Sequence, residues 1–121
     1  MSDVKAARLW YFYVADMLGF CDKVMTFTAG LSMQEFVADA MRFDTTVRNI
    51  ELIGEAATHV PDAVRSAHPE IPWRLVIATR NQLIHGYLGI DPDTLWSLIE
   101  TNIPTLHVLL LAIKPPLTDS P

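Results

Sequence analysis

An all-α fold, an up-and-down bundle of four main helices plus a short one, is predicted by three observations. Apolar residues recur at spacings of three and four along nearly the whole chain. No window alternates with period two, and no Asn-Gly or Asp-Gly hairpin turn occurs. Helix start and stop residues divide the chain into segments of bundle length. With 121 residues the chain fits one domain, expected over 1–114, followed by a flexible tail over 115–121.

The first helix is expected from about Val4 to Ala29. Trp10, Tyr13, Val14, Met17, Phe20, Cys21, Val24 and Phe27 form its apolar stripe, and Gly30 stops it. The second begins at Ser32, where Glu35 three residues on completes a capping box. It is expected to continue unbroken to Pro61 along a seam of Phe36, Ala40, Phe43, Val47, Ile50, Gly54 and Ala57. Gly54 would let a neighbouring helix approach closely. A short helix over Asp62–Ala67 follows, bounded by Pro61 and the stiff stretch Pro69–Pro72. The third main helix runs from Pro72 to about Tyr87. The last begins at Asp91, a good N-cap ahead of Pro92 and Asp93, and reaches Ile113 with a bend at Pro104.

Composition excludes several function classes. The net charge of −5 argues against blanket phosphate binding, though a local nucleic-acid site needs only a few cations. The single cysteine, Cys21, can form neither an internal disulfide nor a Cys-based zinc site. Asp3, Lys5 and Arg8 make the N-terminus a poor secretory signal, and Asp16, Asp22 and Lys23 interrupt the longest apolar stretch. A soluble, cytoplasmic protein with no metal or cofactor is expected. Half of the residues are apolar and only 19% are charged, below the roughly 25% of an ordinary soluble domain, which points to self-association.

The pattern breaks in the third main helix. At about 100° per residue, Trp73, Val76, Ile77, Leu83, Ile84 and Tyr87 all fall within about 60° of Arg80. A guanidinium in the middle of an apolar stripe needs a partner, because a lone buried charge costs several kcal/mol. A carboxylate of the second helix, Glu51 or Glu55, would serve, as would a second subunit or a phosphate. Asn81 and His85, one turn apart, share a flank of the same helix. A fixed cation, an amide and an imidazole that titrates near neutrality suit the handling of a phosphate. His59, His68 and His107 are read as structural, and Trp10, Trp73 and Trp96 as packing anchors.

The run from Arg80 through His85 to Tyr87 has the spacing Arg-x4-His-x-Tyr, and in this it resembles the HEPN superfamily in its HepT-like toxin branch. Flanking segments extend the likeness: Ile53-Gly54-Glu55-Ala56-Ala57, His68-Pro69-Glu70-Ile71-Pro72-Trp73, Gly89-Ile90-Asp91 and Leu95-Trp96. The similarity covers roughly Val47 to Leu110. The resemblance implies an all-α homodimer, the toxin of a type VII toxin–antitoxin pair, whose partner is a minimal nucleotidyltransferase antitoxin. It implies a metal-independent endoribonuclease with two copies of the motif facing one cleft. Arg80, His85 and Asn81 would be the catalytic residues, and Tyr87 would accept adenylyl groups from the antitoxin, closing the cleft to RNA. The alternative is a non-catalytic helical subunit that binds nucleotide or positions substrate for a separate nucleotidyltransferase.

Overall fold

The computed structural model describes residues 2–86 and 90–116, with side chains from residue 9 onward. Among these, all regular structure is helical: α1 (Ser2–Thr28), α2 (Met33–Ala38), α3 (Ala40–Thr58), α4 (Asp62–Ala67), α5 (Trp73–Gly86), α6 (Pro92–Ser97), a π-helical turn (Leu98–Asn102) and α7 (Ile103–Leu111). Most of the expected tail lies outside the described residues. No described helix is long and apolar enough to cross a membrane.

The apolar stripe of α1 becomes the core of the bundle. Val14, Met17, Cys21 and Val24 are fully buried, and Gly30 ends the segment with a φ of +76° that a side chain rarely tolerates. Burial pushes the Cys21 thiol up to about 12 from its ordinary 9.0, with Asp22 beside it adding to the effect. A raised folded value means that the neutral thiol contributes stability fully below the ordinary thiol range and loses it as the pH rises through that range toward 12. Cys21 is therefore expected to resist thiol reagents in the folded protein and to react at once in denaturant; rapid labelling under native conditions would contradict its burial.

The expected second helix is two helices. Asp39 takes an extended conformation (φ −98°, ψ 92°), ending α2 and capping α3. Its Oδ1 accepts from the Arg42 backbone N–H at 3.1 Å, and its Oδ2 accepts from Arg42 Nε at 3.2 Å. Apolar spacing misses the break because the seam resumes in register, whereas an Asp competes for local backbone donors and favours a cap over a helix interior. The backbone hydrogen bond from Arg42 holds the Asp39 carboxyl below its usual range. That cap is at full strength above the usual carboxylate range and weakens as the pH falls through the lowered value. Arg42 Nη1 also donates to the Phe27 carbonyl at 2.9 Å, tying α3 to the last turn of α1. Ala40 is exposed, and the buried seam of α3 is Val47, Ile50, Ile53, Gly54, Ala56 and Ala57.

The last segment also departs from one continuous bent helix. Pro104 has no N–H for the carbonyl of residue 100, and the helix widens just before it. Ile103 N–H donates to Leu98 O, five residues back, which defines the π turn. The turn leaves Ile99, Ile103, Leu106, Leu110 and Ile113 in the core. At the start of α5, Trp73 is buried and its indole N–H donates to the His68 carbonyl at 3.0 Å, locking the proline connector onto the helix.

In the packing, α3 lies against both α1 and α5, and α7 lies against α1. Tyr13 meets His59 while Phe27 meets Arg42, so α1 and α3 run antiparallel. The C-terminal half of α3 is thereby sandwiched between the N-terminal half of α1 and the middle of α5.

Candidate active site

The crossing of α3 and α5 sets the geometry. A Cβ built on Gly54 would lie 2.2 Å from Arg80 Cβ and 3.0 Å from both Arg80 Cγ and the Val76 carbonyl oxygen. Only glycine allows this approach. The stem of Arg80 is thus pressed onto the α3 backbone, and its head emerges beside Glu55, the next residue along α3.

Arg80 Nη2 donates to Glu55 Oε2 at 2.6 Å, and Nη1 donates to Asn81 Oδ1 at 2.8 Å. Of the two carboxylates the sequence offered, Glu55 takes the guanidinium, while Glu51 accepts from Arg48 at 3.1 Å. The Arg80 side chain is 29% exposed and that of Glu55 46%. This ion pair lies at the edge of the core, where it orients the guanidinium more than it stabilises the fold. A guanidinium has five N–H donors. Two are used, Nε–H is buried without a hydrogen-bond partner among the described residues, and one N–H on each terminal nitrogen remains for a ligand.

The other Glu55 oxygen, Oε1, lies 3.5 Å from His59 Nε2, and the His59 ring is stacked on Tyr13 with centroids 4.8 Å apart and planes 19° apart. Tyr13, His59, Glu55, Arg80 and Asn81 therefore form one continuous array across α1, α3 and α5. His85 stands apart from it. It lies exposed one turn beyond Asn81, on the outer flank of α5, next to Ile84, which is 46% exposed. Tyr87 lies outside the described residues.

The structure thus brings together Arg80 and Asn81 of the expected set and leaves His85 on the same helix with no hydrogen bond or ion pair among the described residues. The stripe expected around Arg80 divides: Trp73 and Leu83 are buried, Val76 and Ile77 are half-buried, and Ile84 faces outward. The sequence offers Glu55, with Glu51, as a partner for Arg80 and as a structural or interface carboxylate, and gives His59 and Tyr13 no part in the site. An Arg on an apolar stripe facing a helix with glutamates is a signal for Glu55. Nothing local signals the Tyr13–His59 pair. The apolar groove of the molecule is separate from this array; Ile50, Ile53, Val76, Leu98, Leu106 and Leu109 line it between α3, α5 and α7.

Residues 17–113, most of the chain, match the family model described as Ribonuclease HepT-like. The chain belongs to the HepT-like family. Among its HepT-like relatives, the "Probable ribonuclease HepT" of Thermococcus cleftensis is 34% identical over 94 residues, covering 78% of this chain and 86% of the relative. A protein of Methanocaldococcus jannaschii that carries a provisional RNase name is 33% identical over 104 residues, 86% of this chain and 90% of the relative. A third, from Caldanaerobacter subterraneus subsp. tengcongensis and named in the same way, is 33% identical over 95 residues, 78% and 85% of the two chains. No solved structure matches the chain. The HepT-like match takes in α3 and α5, and with them the whole Gly54–Arg80 crossing.

Proposed function

We propose that this HepT-like chain is a metal-independent endoribonuclease, the toxin of a toxin–antitoxin pair, acting at a cleft formed across a homodimer. The observation that carries the reading is Arg80: an oriented cation with one N–H on each terminal nitrogen unpaired among the described residues, five residues before an exposed imidazole on the same helix. The ribonuclease names of the relatives supply the substrate class.

In this reading His85 removes the proton of a ribose 2′-OH. The freed oxygen attacks the adjacent phosphorus, and the bond from phosphorus to the 5′-oxygen breaks. His85 of the second copy protonates that leaving oxygen. The products are a 2′,3′-cyclic phosphate and a 5′-OH. Arg80 neutralises the charge that builds on the phosphoryl oxygens, and Asn81, whose carbonyl oxygen is held by Arg80, offers its NH₂ group to the phosphate or to the His85 ring. Two copies are needed because one imidazole cannot at once serve as base and acid on opposite sides of the phosphorus. The exposed Ile84 of α5 suits a subunit seam beside the motif.

Tyr87 follows His85 by two residues. An adenylyl group transferred to its hydroxyl by the nucleotidyltransferase antitoxin would place negative charge and bulk at the cleft and exclude RNA. One observation favours the second reading, a non-catalytic subunit that positions nucleotide for that transferase: Glu55 already occupies part of the guanidinium, on a chain of net charge −5.

The test is cleavage of RNA by protein made without the neighbouring transferase, in the presence of a chelator. Cyclic-phosphate ends are expected, and 2′-deoxy substitution in the substrate should abolish cutting. Intact protein with no cleavage of any RNA, or cleavage that needs an added divalent cation, would set the catalytic reading aside. Intact mass after co-expression with the transferase should rise by whole adenylyl units, and replacing Tyr87 with Phe should abolish the rise.

A further inference from the structure

The stacked pair Tyr13–His59 has no part in the chemistry just described, yet it borders the guanidinium. Tyr13 stacks on the His59 ring, and the His59 side chain remains 50% exposed. The ring is also held in place. His59 is the C-cap of α3, its backbone N–H bonded to the carbonyls of Ala56 and Ala57, and the next residue, Val60, is buried. Its Nε2 edge lies 3.5 Å from Glu55 Oε1, and the other oxygen of that same carboxylate receives Arg80. A half-exposed aromatic ring and the guanidinium therefore meet the two oxygens of one carboxylate, close enough for the base and the phosphate of a single nucleotide to reach both.

We infer that His59, backed by Tyr13, is a stacking platform for a nucleobase of the RNA whose phosphate Arg80 holds; the inference rests on the ribonuclease reading above. Single-stranded nucleic acid is commonly held by a cation on the backbone and an aromatic face under a base, and such a stack tolerates any base because each has a π-face. The platform supplies part of the strand binding that an acidic protein cannot obtain from general phosphate attraction. Glu55 has two tasks in this arrangement: it orients the guanidinium and sets the ring edge.

The test uses the cleavage-deficient His85→Ala protein as parent, with single-stranded RNA carrying a fluorescent label and, in a second series, 2-aminopurine, whose emission falls when it stacks. His59→Ala is expected to weaken binding roughly five- to hundred-fold and to abolish the 2-aminopurine quenching. His59→Phe should restore both, since it keeps the ring and loses the polar edge. His59→Gln, which keeps a polar edge and loses the ring, should restore neither. Rescue by Gln and not by Phe, or unchanged binding in His59→Ala, overturns the platform. Arg80→Ala separates the two ideas. If it binds RNA as tightly as the parent, or if the parent binds no RNA, the ribonuclease reading falls and the platform with it; if Arg80→Ala loses binding while His59→Ala does not, the platform alone falls.

Discussion

Replacing Arg80 with Ala is expected to lower the rate of RNA cleavage by about 10²–10³-fold while the protein stays folded. The guanidinium is the fixed charge nearest the proposed phosphate, and a preorganised donor acts on the transition state without reorganising at the moment of reaction. Truncation also releases Glu55, whose carboxylate would then face the cleft with no cation at 2.6 Å to balance it. That uncompensated charge repels RNA, so KM should rise along with the fall in kcat. Arg80→Lys should recover little, since an ammonium cannot hold Glu55, Asn81 and a phosphate through one planar fork. His85→Ala acts differently. It removes the proposed proton carrier and leaves the Arg80–Glu55–Asn81 hydrogen bonds in place, so kcat should fall by about 10²–10⁴-fold with RNA affinity largely kept. Single-turnover cleavage and RNA titration separate the two patterns. Equal activity in Arg80→Ala and the wild type would remove the basis of the proposed chemistry.

Gly54→Ala should be the most disruptive conservative change in the bundle. The new methyl would sit 2.2 Å from Arg80 Cβ, and the nearby Val76 carbonyl is backbone, so no flexible side-chain end can swing away. The α3–α5 crossing must open. Overpacking of this kind costs about 1–3 kcal/mol and occasionally more, against a gain of about 1 kcal/mol from replacing a helix-interior glycine. Arg80 would shift with the crossing, so activity should fall further than stability alone explains. Gly19→Ala is the matched control. A Cβ there meets nothing within 4 Å, and the residue lies exposed inside α1, so the same change should stabilise by up to about 1 kcal/mol. Urea unfolding of the two variants should give shifts of opposite sign. Shifts of the same sign would show that the close approach at Gly54 does not hold in solution.

Much of this arrangement is legible before any coordinates. The capping box at Ser32 and Glu35 is present as the spacing predicts, with Ser32 N–H donating to Glu35 Oε1 at 2.9 Å and Glu35 N–H to Ser32 Oγ at 3.1 Å. Asp91 caps α6 ahead of Pro92, and Gly30 ends α1 with positive φ. These features are legible because each is settled within four residues, where periodicity and capping chemistry act. The break at Asp39 and the π turn before Pro104 were less so. In both places the apolar rhythm continues across a local backbone rearrangement, and rhythm reports which face is buried rather than how the backbone is bonded.

The sequence by itself determined an all-helical chain, the order and ends of most helices, and a motif with Arg80, Asn81 and His85 on one helix. Only the tertiary structure decided that Glu55 and not Glu51 meets Arg80, across 25 residues of chain. It alone placed the Tyr13–His59 stack beside them. Glu51 and Glu55 are one turn apart on α3, and periodicity cannot distinguish them. The choice falls to the point where two helices touch, and that point is Gly54, where the missing side chain lets α5 come closest.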